Sequence, residues 1–300
     1  MEAQRTLKRQ ISCAGIGLHS GQKVTLTLKP AAADSGVRFR RTDLGVEIPA
    51  SVKEVSSVHH ATVLGKAGAT VETVEHLLAA LVAAGIDNVV VELNHREVPI
   101  MDGSSAPFLY LLQEAGVKKL STPRRYLKIL KPVQLATGDK RIAIYPSDHF
   151  KVSYTISFDH PMLRHQSRTE RITEATFADH IAGARTFGFL KEVEWLRQNG
   201  LALGGSLENA IVIGDTNVLN ALRFEDEFVR HKILDVVGDL ALVGYPIVGH
   251  VVAHRAGHAL HTALAAEILA DQDAWCLVDA PAAVPESVFD TVGAVGVRAH

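Results

Sequence analysis

The chain has 300 residues, 47% of them hydrophobic and 21% charged, a balance that excludes a disordered polypeptide and leads us to expect two domains of ordinary size. Lysine and arginine nearly match aspartate and glutamate, for a formal net charge of −2, so no basic surplus exists to hold a nucleic-acid backbone. Only Cys13 and Cys276 stand against 15 histidines, which excludes a disulfide framework and a cysteine zinc site; any metal must be held by imidazole and carboxylate.

Residues 1–10 are charged and lack the apolar core of a signal peptide, and no run reaches the roughly 18 apolar residues of a membrane span. A cytoplasmic protein is expected. The first segment reads as strands, with alternation over 24–28 and a further strand over 36–40 after a turn signal, and Ala14-Gly15-Ile16-Gly17 is expected to bend the chain. From 74 to 84 the period changes to that of a helix, with Thr73 as its cap, Glu75 in its first turn and Gly85 as its stop. A Val-rich strand follows over 88–93, then a second helix over 104–115 with Pro107 near its start and Gly116 at its end. Residues 120–125, with Ser121, Thr122 and Pro123, read as a linker. Beyond it, strands recur over 126–130, 141–145 and 151–158, a long helix runs over 224–243, a strand over 247–253, and a final helix opens at Gly257-His258.

The second half therefore repeats the first coarsely, with His76 preceding Gly103-Ser104 by about as far as His231 precedes Gly257-His258. Two α+β domains are expected, 1–122 and 123–300. Residues 189–216, apolar and rich in glycine, have no counterpart in the first half and read as an insertion.

His231, Asp235 and Asp239 fall at i, i+4 and i+8 on one stripe of a helix whose other residues are mostly apolar, which implies a polar row lining a cleft. An imidazole and a carboxylate four residues apart can hold one metal, with Asp239 as support one turn on; equally, the two aspartates could pair with Lys232 or cap a neighbour. Glu75-His76 offers a further ligand beside a carboxylate able to accept a proton from water, although a glutamate in a first turn commonly answers only to the helix dipole. No H-E-x-x-H is present, and the inverted motif would need His where Glu72 stands. His258 sits at a helix N-terminus in a loop with His254 and Arg255, and Arg185-Thr186-Phe187 sets a hydroxyl between a cation and an aromatic ring.

These segments, together with Gly17-Leu18-His19-Ser20-Gly21, Pro99-Ile100-Met101-Asp102-Gly103-Ser104, Leu203-Gly204-Gly205-Ser206 and Gly257-His258-Ala259-Leu260, resemble the bacterial UDP-3-O-acyl-N-acetylglucosamine deacetylases, in order from about Thr6 to Trp275. The resemblance implies two similar α+β domains, each a sheet with two main helices and a small insertion, packed with the helices between the sheets. It implies a single zinc ion held by His76, His231 and Asp235, with Glu75 as general base, His258 as general acid or oxyanion stabiliser oriented by Asp239, and the Thr186 hydroxyl facing the developing oxyanion. Lys140, Lys232 and Arg255 resemble diphosphate contacts and Phe158 a uracil-stacking residue, with Phe187, His19 and His60 also expected at the substrate. Val193, Ala202, Gly205 and Val212 of the insertion would line an acyl-chain passage.

Ala256 stands where the family commonly has Ser, Ala61 where some members have Cys, and His59 has no counterpart. The expected activity is hydrolysis of the acetamide of a UDP-linked, O-acylated N-acetylglucosamine, an early committed step of lipid A biosynthesis, by a monomer. Two rivals are a non-catalytic binder of UDP-sugar or acyl chain, and a related zinc deacetylase acting on another N-acyl substrate.

Overall fold

In the first half, alternation makes the sheet: Val24, Leu26 and Leu28 of Lys23–Pro30 are buried while their neighbours face outward, and Val89, Val91 and Leu93 of Val89–Leu93 do the same. The computed structural model, which describes residues 2–279, places these strands side by side in a five-stranded sheet ordered Ile11–Ile16, Lys23–Pro30, Val89–Leu93, Val37–Arg41, Val46–Pro49. Val37–Arg41 and Val89–Leu93 run parallel and so need a long crossover. That crossover contains a three-stranded sheet, Val55–Ser57, Val63–Lys66 and Ala69–Glu72, and then helix α1, Glu75–Ala83. Helix α2, Ala106–Ala115, packs on α1 and on Ile11–Ile16.

The second half builds a seven-stranded sheet around Ile247–His254, which pairs antiparallel with Lys140–Tyr145 and parallel with both Phe150–Ile156 and Arg125–Ile129. Val133–Thr137, Gln166–Arg171 and Trp275–Asp279 complete it. A short helix α3, Leu190–Gln198, lies in the insertion, and two longer ones follow: α4, Glu227–Leu240, and α5, His258–Ala270. Every residue of α4 except Arg230 and Lys232 is buried, and every residue of α1 except Val82. Helices buried on all sides must be interior. α1 packs chiefly on α4, and α4 and α5 pack on the second sheet, so the main helices lie between the two large sheets in a mixed α+β architecture. Among the described residues, no helix is long and apolar enough to cross a membrane.

Three local expectations are corrected. The supposed linker is strand: Val117–Pro123 pairs antiparallel with Ala3–Leu7, and Arg125–Ile129 then joins the second sheet. Ser, Thr and Pro signal a turn locally, but the edge of Ala3–Leu7 offers backbone partners, and Pro123 ends its strand where a missing N–H costs little. Thr73 does not cap α1; its φ is 57° and its hydroxyl donates to Glu97 Oε1 at 3.2 Å, leaving the cap position to Val74 without a side-chain bond. Residues 14–16 continue the strand Ile11–Ile16, and the chain turns only at Leu18–Gly21, closed by the Gly21 N–H to the Gly17 carbonyl at 3.0 Å. The expected helix over 224–243 is regular from Glu227 to Leu240, with a tighter turn over Ala241–Val243 before Gly244 stops it at φ 84°. Residues 280–300 of the second expected unit lie outside the described residues.

Candidate active site

The site exists because two helices touch. Gly238 of α4 meets the first residue of α1 so closely that a β-carbon there would stand 2.0 Å from the Glu75 carbonyl oxygen. The start of α1, carrying Glu75 and His76, is thereby laid against the stripe of α4 that carries His231, Asp235 and Asp239. Asp235 Oδ1 lies 3.3 Å from His231 Nε2 and 3.8 Å from His76 Nε2, and the two imidazoles meet edge to face at 4.9 Å. All three side chains are buried.

The protonation pattern follows from the neighbours. His231 Nδ1 donates to the Ala184 carbonyl at 3.0 Å, which leaves the Nε2 lone pair facing the cluster. Burial, reinforced by the facing His231, presses His76 down to a pKa of about 3, and burial lowers His231 as well, so both rings are neutral at physiological pH. Burial opposes the charge of Asp235, but Lys232, His231 and His258 together hold its carboxyl well below the ordinary value. Lys232 Nζ donates to Asp235 Oδ2 at 2.5 Å, whereas Asp235 Oδ1 is buried and, among the described residues, has no hydrogen-bond partner. Two neutral imidazoles converging on an unsatisfied carboxylate oxygen form a donor set suited to a divalent metal, and the residues present fit one. The alternative pairing of Asp235 with Lys232 also occurs; it uses the other oxygen.

Beside this cluster stands an acid–base pair. Glu75 is driven up to a pKa of about 7 by burial and held there by Asp239 and Asp235 against the opposing pull of His258; its Oε2 accepts the Thr62 N–H at 3.2 Å. His258 behaves oppositely. Burial would discharge it, but the Asp239 carboxylate, 2.7 Å from Nδ1, raises it to about 9, and Nε2 lies 3.9 Å from Glu75 Oε1. Near pH 8 a carboxylate and an imidazolium thus face each other. Asp239 also accepts from the Thr62 hydroxyl at 2.5 Å and from His261 Nδ1 at 2.9 Å. His261 and His258 both turn Nδ1 toward this carboxylate, so the second group of three ligand-type residues, Asp239, His258 and His261, is a hydrogen-bond network that orients His258.

A cavity of about 400 Å³ opens onto the cluster. Its lining includes the polar residues Glu75, His76, Thr186, His231, Lys232, Asp235 and His258, with Phe187, His19 and His60, and also the apolar group Val193, Ala202, Gly205 and Val212, with Leu18, Leu196 and Leu207. The inserted segment is therefore no detached lobe. Its short strand Ile211–Ile213 pairs parallel with Phe187–Phe189, immediately beyond Thr186.

A model of the family described as UDP-3-O-acyl N-acetylglycosamine deacetylase matches residues 4–270. The chain belongs to that family. Among proteins named UDP-3-O-acyl-N-acetylglucosamine deacetylase, it is 49% identical to one from Syntrophotalea carbinolica over 97% of this chain and 95% of the relative. It is likewise 49% identical to one from Pseudomonas entomophila over 93% and 94%, and 50% identical to one from Geotalea uraniireducens over 93% and 92%. As a member of a deacetylase family the protein is an enzyme, a hydrolase acting on an amide.

Not every residue expected at the deacetylase site lies in its cavity. Phe158, partly exposed, is not among the residues lining it; its ring lies 6.1 Å from Phe187 and 5.7 Å from Phe189. Lys140 begins a strand of the second sheet, exposed, and Arg255, at φ 53°, pairs with Asp139 at 3.1 Å; neither lines the cavity. Sequence reasoning missed Thr62 and His261. His261 carried a signal, three residues after His258 on one helix face; Thr62 carried none, because only the packing of its loop onto Asp239 selects it.

Proposed function

We propose that this protein removes the acetyl group from UDP-3-O-acyl-N-acetylglucosamine, yielding acetate and the free amine in the pathway to lipid A. The observation that carries the proposal is that one cavity joins the metal-type cluster and the Glu75–His258 pair to an apolar recess. His76, His231 and Asp235 would hold zinc, which when bound supplies Lewis acidity toward the acetamide carbonyl and toward water. Glu75, largely deprotonated above its pKa of about 7, takes the proton of the attacking water as the new C–O bond forms. The Thr186 hydroxyl donates to the oxygen on which negative charge develops. His258, protonated below about 9, gives its Nε2 proton to the amine as the C–N bond breaks, and Asp239 keeps the ring charged and aimed.

Lys232, Lys140 and Arg255 are assigned to the diphosphate and Phe158 to the uracil, with Phe187, His19 and His60 placed around the sugar. Val193, Ala202, Gly205 and Val212 enclose the acyl chain. We also propose that 1–122 and 123–300 are the two folding units, that the protein acts as a monomer, and that it works in the cytoplasm, in keeping with its two unpaired cysteines.

Two expected results test this reading. Chelation should abolish activity, and one equivalent of zinc per chain should restore it; full turnover by protein shown by elemental analysis to be metal-free would overturn the ligand assignment. For the recess, each buried methylene contributes roughly 0.8 kcal/mol, so the acylated substrate should be preferred strongly over UDP-N-acetylglucosamine. Gly205→Trp should fill the recess and reduce turnover of the acylated substrate toward that of the non-acylated one, with metal content retained. Equal turnover of both substrates by the unmodified protein would sink the acyl-passage assignment.

A further inference from the structure

Glu97 is fully buried, and it takes no part in the acid–base chemistry above. Its carboxylate is met by three donors from two separate segments. Oε1 accepts the His19 N–H at 2.8 Å and the Thr73 hydroxyl at 3.2 Å, and Oε2 accepts the Ser20 N–H at 2.8 Å. Its own segment is pinned in the same place, for the Glu72 N–H donates to the Arg96 carbonyl at 2.8 Å and the Val98 N–H to the Glu72 carbonyl at 3.0 Å.

Each segment leads to a different part of the cavity lining. Thr73 stands two residues before Glu75 and three before His76. The turn around His19 carries the wall of the recess: the Leu18 carbonyl accepts the Gly204 N–H at 3.0 Å and the His19 carbonyl the Leu203 N–H at 3.2 Å. The fit is tight, because a β-carbon on Gly204 would stand 2.2 Å from the Gly17 carbonyl oxygen. Leu18 and His19 line the cavity beside Ala202, Gly205 and Ser206, which flank this contact. A buried carboxylate bonded at once to the recess turn and to the entry of α1 fixes the distance between them.

We propose that Glu97 is a positioning residue for acyl specificity, holding the recess wall in register with the start of α1 so that a seated chain places the amide against Glu75. This inference rests on the acyl-passage reading above. The replacement Glu97→Gln separates the two arms. Whichever way the amide is oriented, its NH2 faces the N–H of His19 or of Ser20, whereas the Thr73 hydroxyl can donate to the amide oxygen or accept from the amide nitrogen. The turn alone is loosened.

Steady-state kinetics on the acylated substrate and on UDP-N-acetylglucosamine test the proposal. In Glu97→Gln kcat for the acylated substrate should fall about tenfold with KM within about twofold, while kcat/KM for the non-acylated substrate falls no more than about threefold and zinc content stays at the wild-type level. Parallel losses on both substrates, or unchanged kinetics on both, overturn the role of Glu97. Should Glu97→Gln fail to fold, Gly204→Ala loosens the same turn from its other side, and undiminished acyl preference there overturns the proposal. A wild-type protein with no acyl preference overturns the passage reading itself, and this proposal with it.

Discussion

Glu75→Gln should lower kcat by roughly 10²- to 10⁴-fold, the usual contribution of a general base, with zinc still bound. The amide matches the carboxylate in size and its oxygen can still accept the Thr62 N–H, so the loss isolates proton transfer from packing. The same geometry dictates the pH profile of the unmodified enzyme. Glu75 must be ionised to accept a proton, so kcat should rise as pH increases through about 7. His258 must be protonated to donate one, so kcat should fall as pH increases through about 9. Replacing Glu75 should flatten the acidic limb and replacing His258 the basic limb. A kcat within a fewfold of wild type in Glu75→Gln would falsify the assignment; loss of zinc from that variant would instead make Glu75 a ligand.

Gly238→Ala should destabilise the protein and disassemble the site together. The added β-carbon meets the Glu75 carbonyl at 2.0 Å, a backbone atom that cannot swing away as a side chain could. The helices must separate, and overpacking of this kind costs typically about 1–3 kcal/mol. Because α1 carries Glu75 and His76 while α4 carries His231 and Asp235, the separation also draws the ligands apart. A lowered urea midpoint, weakened zinc binding and loss of turnover should appear together. A variant with the wild-type midpoint and full metal content would show that the crossing tolerates movement.

The local elements were legible wherever one face is buried and the other wet. Val24, Leu26 and Leu28 announce a strand by alternation, and α2 was bracketed by Pro107 and Gly116. The polar stripe His231, Asp235, Asp239 announced a cleft because its neighbours Phe228, Val229, Ile233, Leu234, Val236, Val237 and Leu240 are apolar and leave too little polar sequence for an ordinary wet face. Legibility failed where a distant partner outbids a local signal. Thr73 has the side chain of a cap but gives its hydroxyl to Glu97, 24 positions later. Residues 120–123 have the composition of a linker but find the edge of Ala3–Leu7, more than a hundred residues earlier.

The sequence by itself determined which chemistry was present: histidines and carboxylates without cysteine ligands, a glutamate beside a histidine at a helix start, an apolar insertion, and motifs in the order of one deacetylase family. Those are properties of residue type and spacing, which survive in one dimension. What only the tertiary structure decided was how the pieces meet. Asp235 could serve Lys232 or a metal, and the fold has it serve one with Oδ2 while leaving Oδ1 open between two imidazoles. Glu75 and His258 are far apart in the chain, and neither pKa can be read from its own neighbours. Burial and Asp239 raise Glu75 to about 7, and Asp239 raises His258 to about 9 against burial, charges and boundaries that come together only when α1, α4 and α5 pack between the sheets. Electrostatic energy depends on distance and on exclusion of water, and both are fixed by packing rather than by spacing along the chain.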